Sequence, residues 1–333
     1  MSSFPAPEHF SVPEGYDWQV GLSIPYTGHE GQLPPAESKR LMGIPVLLRQ
    51  LVFPAVFLLP ALLPARLACA DDAAKNVWKR IVVIGASASA GFNTRREAGR
   101  TVNLAKIIEH MVEVEHDEVL NTSSPLFFMN PRWMGTQAIR SAKEARATLV
   151  VAVDFLFWFG YGSKSEDRRM EDLEAGLKYL SELKCPVLLS RIPDMKASVG
   201  KMLSPRQVPR PATLKGLNER IDVWAAEHKN VIMVPMAEFL NDLRAGKAVK
   251  VAKISYPEGS IRTLLQRDEL HPTLEGMVAV TALSLFKLCE RYEELSQDDF
   301  EMDPQIVKKR VIAAVRHGKK PADKTPAKNK KDS

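Results

Sequence analysis

Cysteine is scarce in this chain, with three residues in 333, and so small a number excludes a disulfide framework. Long uninterrupted apolar runs are also lacking, which excludes a polytopic membrane protein. Hydrophobic residues make up 45% of the chain and charged residues 26%. That balance is typical of a soluble globular protein and excludes a disordered chain or a collagen-like fibre. The length suits one large domain or two small ones.

Positive charge is concentrated at the carboxyl end, although the whole chain has a formal net charge of only +6. Residues 308–333 contain ten lysines and arginines and two acidic residues, a net charge of +8, so the rest of the chain is slightly acidic. The body of the protein is therefore not a basic nucleic-acid-binding domain, and we expect no nucleic-acid partner. We expect residues 308–333 to be a disordered tail, solvated or in weak contact with anionic surfaces.

Residues 42–70 have the layout of a secretory signal peptide. An arginine is followed by an apolar run over 51–65 and then by Ala68-Cys69-Ala70, which correspond to a charged region, a hydrophobic region and a cleavage site. We therefore predict cleavage after Ala70 and a secreted or periplasmic location. The run is short for a bilayer span and contains three prolines, but membrane anchoring by residues 45–65 stays open as an alternative.

The predicted signal peptide divides the chain into segments. Residues 1–41 are rich in proline and glycine and lack sustained periodicity, so we expect them to be disordered or untranslated, with Met42 as the true start. One α/β domain is expected over residues 71–307, ahead of the basic tail. Its two cysteines, Cys185 and Cys289, lie in apolar segments, and the sequence leaves open whether they pair or stay as buried thiols.

Short apolar strands alternate with amphipathic helices along this domain. The alternation predicts parallel strand pairing with right-handed crossovers, and hence a three-layer α/β sandwich around a five-stranded, flavodoxin-like parallel sheet. Functional groups should then lie at the carboxyl ends of the strands. Two segments, 195–212 and 246–266, show no clear element and are expected to be long loops. The predicted strands are 80–85, 118–121, 148–154, 186–191 and 231–234.

A serine follows the first predicted strand almost directly. The segment Gly85-Ala86-Ser87-Ala88-Ser89 consists of small residues, which permit a tight turn where the backbone amides of Ser87 and Ala88 could face a developing oxyanion. The segment matches neither G-x-G-x-x-G nor strict G-x-S-x-G. The competing interpretation is a loop that only closes a turn or holds a phosphate.

An aspartate and a histidine stand three residues apart ahead of the last predicted helix, in Asp268-Glu269-Leu270-His271-Pro272. This spacing lets the carboxylate of Asp268 bind one imidazole nitrogen of His271 and leaves the other to take a proton from a hydroxyl. The competing interpretation is a helix-capping turn with an exposed histidine. The first strand end and the last loop converge in such a sheet, which favours a triad with Ser87.

These two segments resemble the first and last conserved blocks of the SGNH/GDSL-type serine hydrolases, which usually read Gly-Asp-Ser and D-x-x-H-P. The resemblance covers about residues 78–292. It implies an ester hydrolase without metal or organic cofactor. It also implies that Ser87 is the nucleophile, His271 the general base and Asp268 its orienting partner.

The middle of the chain departs from this family pattern. The family usually has a glycine after the second strand, where this chain has Ser123, whose amide could still donate to the oxyanion. The family has an asparagine after the third strand, where this chain has Leu156 or a neighbour. Loss of an oxyanion donor costs roughly 3–4 kcal/mol in the barrier. A catalytically weak or inactive SGNH-like protein that binds a glycan in the cell envelope is therefore the alternative function.

Three kinds of ester are candidate substrates. We expect a monomer that hydrolyses an acetylated glycan, a lipid ester or a small acyl ester. Asp154, at the end of the third strand, either holds a loop through backbone amides or contacts substrate. The aromatic run over 155–161 lines a pocket or packs in the core. The remaining histidines of the domain lack metal-ligand spacing and should be surface or packing residues: His110, His116 and His228.

Overall fold

The computed structural model describes residues 77–317, and a parallel β-sheet lies at the centre of this part of the chain. Its spatial order is β2-β1-β3-β4-β5, and all four neighbouring pairs are parallel. This order confirms the predicted flavodoxin-like sheet and places the connecting helices on its two faces. The strands are β1 (Ile81–Val83), β2 (Leu120–Asn121), β3 (Leu149–Ala152), β4 (Val187–Ser190) and β5 (Val231–Val234).

Central strands β1, β3 and β4 are buried on both faces, which explains why they read as continuous apolar runs rather than as alternating patterns. Side chains of successive residues point to opposite faces. Ile81 and Val83 join one hydrophobic cluster, and Val82 and Ile84 join the other. The sheet therefore separates two cores, as a three-layer sandwich requires.

The helices complete the two outer layers. One core contains residues of α2, α9 and α10, and the other contains residues of α3, α5 and α6. The helices are α1 (Arg95–Ala98), α2 (Leu104–Met111), α3 (Pro131–Glu144), α4 (Phe157–Gly160), α5 (Glu166–Leu180), α6 (Pro211–Glu227), α7 (Met236–Arg244), α8 (Ile261–Leu264), α9 (Leu274–Arg291) and α10 (Pro304–His317).

Helix α10 corrects the predicted boundary of the tail. The sequence predicted disorder from residue 308, but α10 continues to residue 317. Val307 and Val311 are fully buried in the core that also contains residues of α2 and α9, which we call the first core. Lys308 forms an ion pair with Glu275 at 2.9 Å. The surrounding cations concealed a four-residue apolar spacing that is typical of an amphipathic helix. The prediction of disorder over 308–317 is therefore wrong.

The segment 246–266 also contains more structure than expected. It forms an antiparallel hairpin of β6 (Val249–Val251) and β7 (Ile254–Tyr256), followed by the short helix α8. Each strand has only three residues, too few for a two-residue periodicity to be visible in the sequence. The other expected loop, 195–212, contains two single 3₁₀ turns and the first residues of α6.

The predicted signal peptide, the segment 1–41 and residues 318–333 lie outside the described residues. Within the part of the chain that is described, no helix is long and apolar enough to cross a membrane. Cys185 and Cys289 are both free thiols. Burial raises the pKa of each to about 11, so both thiols are protonated near neutral pH and are poor nucleophiles.

Candidate active site

The three residues predicted as a triad lie within hydrogen-bonding distance of one another. Ser87 Oγ is 2.9 Å from His271 Nε2, and His271 Nδ1 is 2.8 Å from Asp268 Oδ2. With Asp268 ionised, a neutral imidazole carries its proton on Nδ1 and donates it to the carboxylate. Nε2 is then free to accept the serine hydroxyl. The arrangement can therefore take the proton from Ser87 as its oxygen attacks a carbonyl carbon.

Asp268 is fixed by the loop that it belongs to. Its Oδ1 accepts hydrogen bonds from the amides of Leu270 and His271, both at 2.9 Å. Burial acts to raise the pKa of the Asp268 carboxyl, but the hydrogen bond and charge of His271, together with these amides, lower it overall. The carboxylate therefore stays ionised beside the imidazole. Glu269 turns the loop with a left-handed φ of 60°.

The His271 ring is held by contacts that the sequence did not indicate. Phe92 stacks on the imidazole, with ring centroids 4.2 Å apart. The backbone amide of Gln266 donates to the His271 carbonyl at 2.8 Å. The side-chain Nε2 of Gln266 donates to the carbonyls of Phe92 and Pro272. No local pattern marks Phe92 or Gln266, because their partners are distant in the chain or are backbone groups.

Asp154 holds the loop of Ser87 from the adjacent strand. Parallel pairing of β1 with β3 brings the two strand ends together. Asp154 Oδ1 accepts from the Ala86 amide at 3.1 Å and from Ser89 Oγ at 2.6 Å, and Oδ2 accepts from the Ser89 amide at 3.0 Å. Burial raises the pKa of this carboxyl against the effect of these bonds. Of its two predicted roles, these contacts match the holding of a loop.

The close approach of Asp154 leaves no room for a side chain at position 85. A Cβ atom on Gly85 would lie 2.0 Å from Asp154 Oδ1, and the φ of Gly85 is +156°. Any larger residue would displace the carboxylate from the loop amides. The glycine at the end of β1 therefore makes room for an acid that belongs to another strand.

Backbone amides are the candidate oxyanion donors. Within residues 77–317, no protein acceptor is bonded to the amide of Ser87 or of Ser123. The Ala88 amide is directed at the Asp154 carboxylate, and Ser123 Oγ donates to Asn121 Oδ1 at 2.6 Å. Leu156, which with its neighbours was predicted to stand where the resembled family has an asparagine, is buried and has no side-chain donor.

An apolar cavity of about 90 Å³ opens beside Ser87 and His271. It extends over the carboxyl ends of β3 and β4 toward α7, α8 and α9. Its walls are almost entirely hydrocarbon, so the cavity can bury an apolar group attached to a carbonyl carbon at Ser87. Lining side chains include Leu156, Phe157, Met195, Leu240, Leu243 and Met277.

Most of the aromatic run packs in the core rather than in the cavity. Phe157 borders the cavity, whereas Phe155 and Phe159 pack edge-on against Phe127. Tyr161 is fully buried, and its hydroxyl donates to the Pro193 carbonyl at 2.9 Å. The aromatic side chains therefore stabilise the sheet edge on which the site is built.

The other histidines lie outside the site. His228 Nδ1 is bonded to the Trp224 carbonyl at 2.7 Å, and His228 Nε2 to Ser181 Oγ at 3.0 Å. His116 Nδ1 is bonded to the adjacent Asp117 carbonyl at an exposed position. In residues 77–317, no group of three or more potential ligands could hold a metal ion.

Comparison with known proteins gives similarity in fold only. No family model matches the sequence, and no curated protein matches it. Among solved structures, TesA has 15% identity and a TM-score of 0.38, over 64% of this chain and 99% of that chain. A GDSL-like lipase from Bacteroides thetaiotaomicron VPI-5482 has 15% identity and a TM-score of 0.40, over 68% and 98%. A carbohydrate esterase family 3 protein from Talaromyces cellulolyticus has 11% identity and a TM-score of 0.38, over 66% and 100%.

The GDSL-like lipase has the family name that the sequence motifs of this chain suggested. Identities of 11–15% and TM-scores of 0.38–0.40 are too low to transfer a reaction or a substrate from one protein to another. The reaction is therefore inferred from the residues of this chain and from their geometry.

Proposed function

We propose that this protein is a serine ester hydrolase of the SGNH/GDSL type. The observation that carries the proposal is the continuous hydrogen-bonded series from Ser87 Oγ through His271 to Asp268, with distances of 2.9 Å and 2.8 Å. The imidazole is almost completely buried, and each of its nitrogens has one partner. A histidine that only caps a helix would not need a serine hydroxyl and a carboxylate on opposite sides of its ring.

The reaction proceeds by acyl transfer. Ser87 Oγ attacks the ester carbonyl carbon while its proton moves to His271 Nε2, and the negative carbonyl oxygen faces nearby backbone amides. His271 then gives the proton to the alcohol oxygen, the C–O bond breaks, and the acyl group remains on Ser87. Water attacks this acyl-enzyme in the same way and releases the acid. Asp268 keeps the imidazole oriented and stabilises its positive charge.

The apolar lining of the cavity favours esters whose acyl group is longer than acetyl. An acetyl group would leave most of the apolar wall without contacts, whereas a longer acyl chain would bury more hydrocarbon there. We therefore favour a lipid ester or a small acyl ester over an acetylated glycan. A secreted or periplasmic location and a monomeric state remain parts of the proposal that depend on the sequence alone.

Labelling with a fluorophosphonate probe tests this proposal. Such a probe reacts with a serine whose hydroxyl is activated by a neighbouring base. Wild-type protein and the Ser255→Ala variant, which changes an exposed serine of β7, should be labelled equally. Ser87→Ala should not be labelled. Equal labelling of Ser87→Ala would contradict the assignment, and absence of labelling in wild type would favour the weak or inactive glycan-binding alternative.

A further inference from the structure

A second concave surface lies on the outer side of the His271 loop, and its character is basic. This basic groove has a volume of about 700 Å³ and is lined by Lys201, Arg262, Leu265, Gln266, Arg267 and Thr273. All three cationic residues are exposed. Gln266 and Thr273 add polar groups, and Leu265 is the apolar member. The reaction at Ser87, as described above, does not involve these cations.

The groove has three positive charges, and one acidic side chain, Glu269, pairs with two of them. Arg262 Nη2 lies 2.6 Å from Glu269 Oε1, and Lys201 Nζ lies 3.7 Å from the same oxygen. Glu269 therefore accounts for one of the three positive charges. Arg267 forms no ion pair with any acidic group in residues 77–317. Pairing with Glu269 therefore explains the positions of Lys201 and Arg262 but not the position of Arg267.

The groove is attached to the catalytic loop and adjoins the apolar cavity. Leu265 lines both the groove and the cavity. Leu265 and Pro272 form an antiparallel bridge, and the Gln266 amide donates to the His271 carbonyl at 2.8 Å. One wall of the groove is thus directly hydrogen-bonded to the backbone of the proposed general base. Through Leu265 the groove is therefore a direct neighbour of the cavity that would hold the acyl group.

We propose that this basic groove binds an anionic group, a phosphate or a carboxylate, on the alcohol part of the ester. The inference rests on the proposed function, because it assigns the acyl chain to the cavity and the alcohol to the groove. Guanidinium groups match the oxygens of phosphate and carboxylate in two-point contacts, and lysine adds a compact charge. A substrate with an apolar acyl chain and an anionic alcohol would have a complementary partner for each part, the cavity for the chain and the groove for the anion.

Paired esters that differ only in the alcohol test this inference by turnover. Monohexanoyl glycerol phosphate should have a higher kcat/KM than neutral monohexanoyl glycerol, and most of the difference should be in KM. Arg267→Ala should lower the ratio of the two kcat/KM values by about 3- to 10-fold. Arg140→Ala removes an exposed arginine from α3, outside the groove, and should leave the ratio unchanged. Raising the salt concentration to about 0.5 M should reduce the preference, because the groove is open to solvent.

Binding to the Ser87→Ala full-length protein separates this inference from the proposed reaction. Calorimetry should show tighter binding of the phosphorylated ester than of the neutral ester, and Arg267→Ala in the Ser87→Ala background should reduce that difference. A hexanoyl ester of glyceric acid, whose alcohol part carries a carboxylate, distinguishes phosphate from carboxylate as the preferred group. Equal affinity for charged and neutral esters would overturn the proposal, as would a preference confined to esters embedded in anionic vesicles.

Discussion

Ser87 depends on side chains that approach it from two distant parts of the chain. His271 and Asp268 come from the loop before α9, and Asp154 comes from the end of β3. In the proposed reaction His271 moves the proton and Asp268 orients the base, whereas Asp154 holds the loop through its hydrogen bonds. Substitutions at these positions should therefore differ in which measured quantity they change.

The triad should behave as a unit. Ser87→Ala or His271→Ala should each reduce kcat by about 10⁶-fold, and the double variant should be little worse than either. Asp268→Asn should cost about 10⁴-fold, because the base remains but is wrongly oriented. Steady-state hydrolysis of a short-chain ester measures these values. Near-wild-type activity of His271→Ala would contradict the mechanism.

Asp154 should affect the rate of the reaction through the geometry of the nucleophile loop. In Asp154→Asn, the side-chain NH₂ would face an amide or hydroxyl donor, and we expect a loss of about 1–3 kcal/mol of stability. The rate of fluorophosphonate labelling should fall in protein that is still folded. Asp172→Asn is the matched control, because Asp172 is also a buried carboxylate but pairs with Lys164 and Arg132. If both variants lose stability but neither loses labelling rate, Asp154 has no positioning role.

Asp268 should also make the stability of the fold depend on pH. Its pKa in the folded protein is lower than the ordinary value of 3.8, so the unfolded chain binds more protons in the interval between the two values. This contribution to stability is therefore present above pH 3.8 and is lost as the pH falls through the folded-state pKa. Denaturation of wild type and Asp268→Asn at several pH values should show the advantage of wild type decreasing in acid. A constant difference between them would contradict this linkage.

At the level of helices and strands, the sequence predicted most of the fold, because strands buried on both faces form continuous apolar runs that can be recognised in the sequence. All five strands of the sheet were expected, since β1, β3 and β4 are short runs of β-branched and aliphatic residues. The sequence did not predict the β6–β7 hairpin or five of the helices, namely α1, α4, α7, α8 and α10. Their apolar faces are narrow or their lengths too small for a periodic signal, and in α10 the many cations obscured the pattern.

Some residues of the candidate site could be predicted from short sequence segments, whereas others could not because they act through contacts distant in the chain. Ser87, Asp268 and His271 stand in short segments whose residue types suggest their chemistry. Phe92 and Gln266 support His271 through contacts across 174 or more residues or with the backbone, which no local pattern reveals. The oxyanion donors were undetermined for a related reason, since every residue except proline has a backbone amide.

Helix α10 should contribute to stability as a packed element. Val311 is fully buried in the first core, so Val311→Ala should lower the free energy of unfolding by about 1–3 kcal/mol through lost contacts and a small cavity. Lys309→Ala, at an exposed position of the same helix, should change it by less than about 0.5 kcal/mol. Urea denaturation of both variants measures the difference. Equal stability would mean that α10 is not docked in solution.

Across the molecule, the groups with proposed functions lie on one edge of the sheet. The Ser87 loop follows β1, Asp154 follows β3, and the cavity extends across the ends of β3 and β4. In an open parallel sheet, loops at this edge are free to differ without disturbing the two cores. If the protein is of the proposed SGNH/GDSL type, this separation explains how the fold is kept while the usual oxyanion asparagine and the acid of the first block are replaced.

The proposed export of the protein depends on the segment before the domain. We expect that expression with its own leader, in a host with an export pathway, yields a product beginning at Asp71, because Ala68-Cys69-Ala70 presents the small residues that signal peptidases require. N-terminal sequencing and intact mass of the exported protein measure this. Ala70→Phe should block processing and leave the protein attached to the membrane, whereas Ala61→Phe, within the apolar run, should be processed normally. An exported wild-type product that retains residues 42–70 would instead support membrane anchoring, and one that retains residues 1–41 would place the start of translation at Met1.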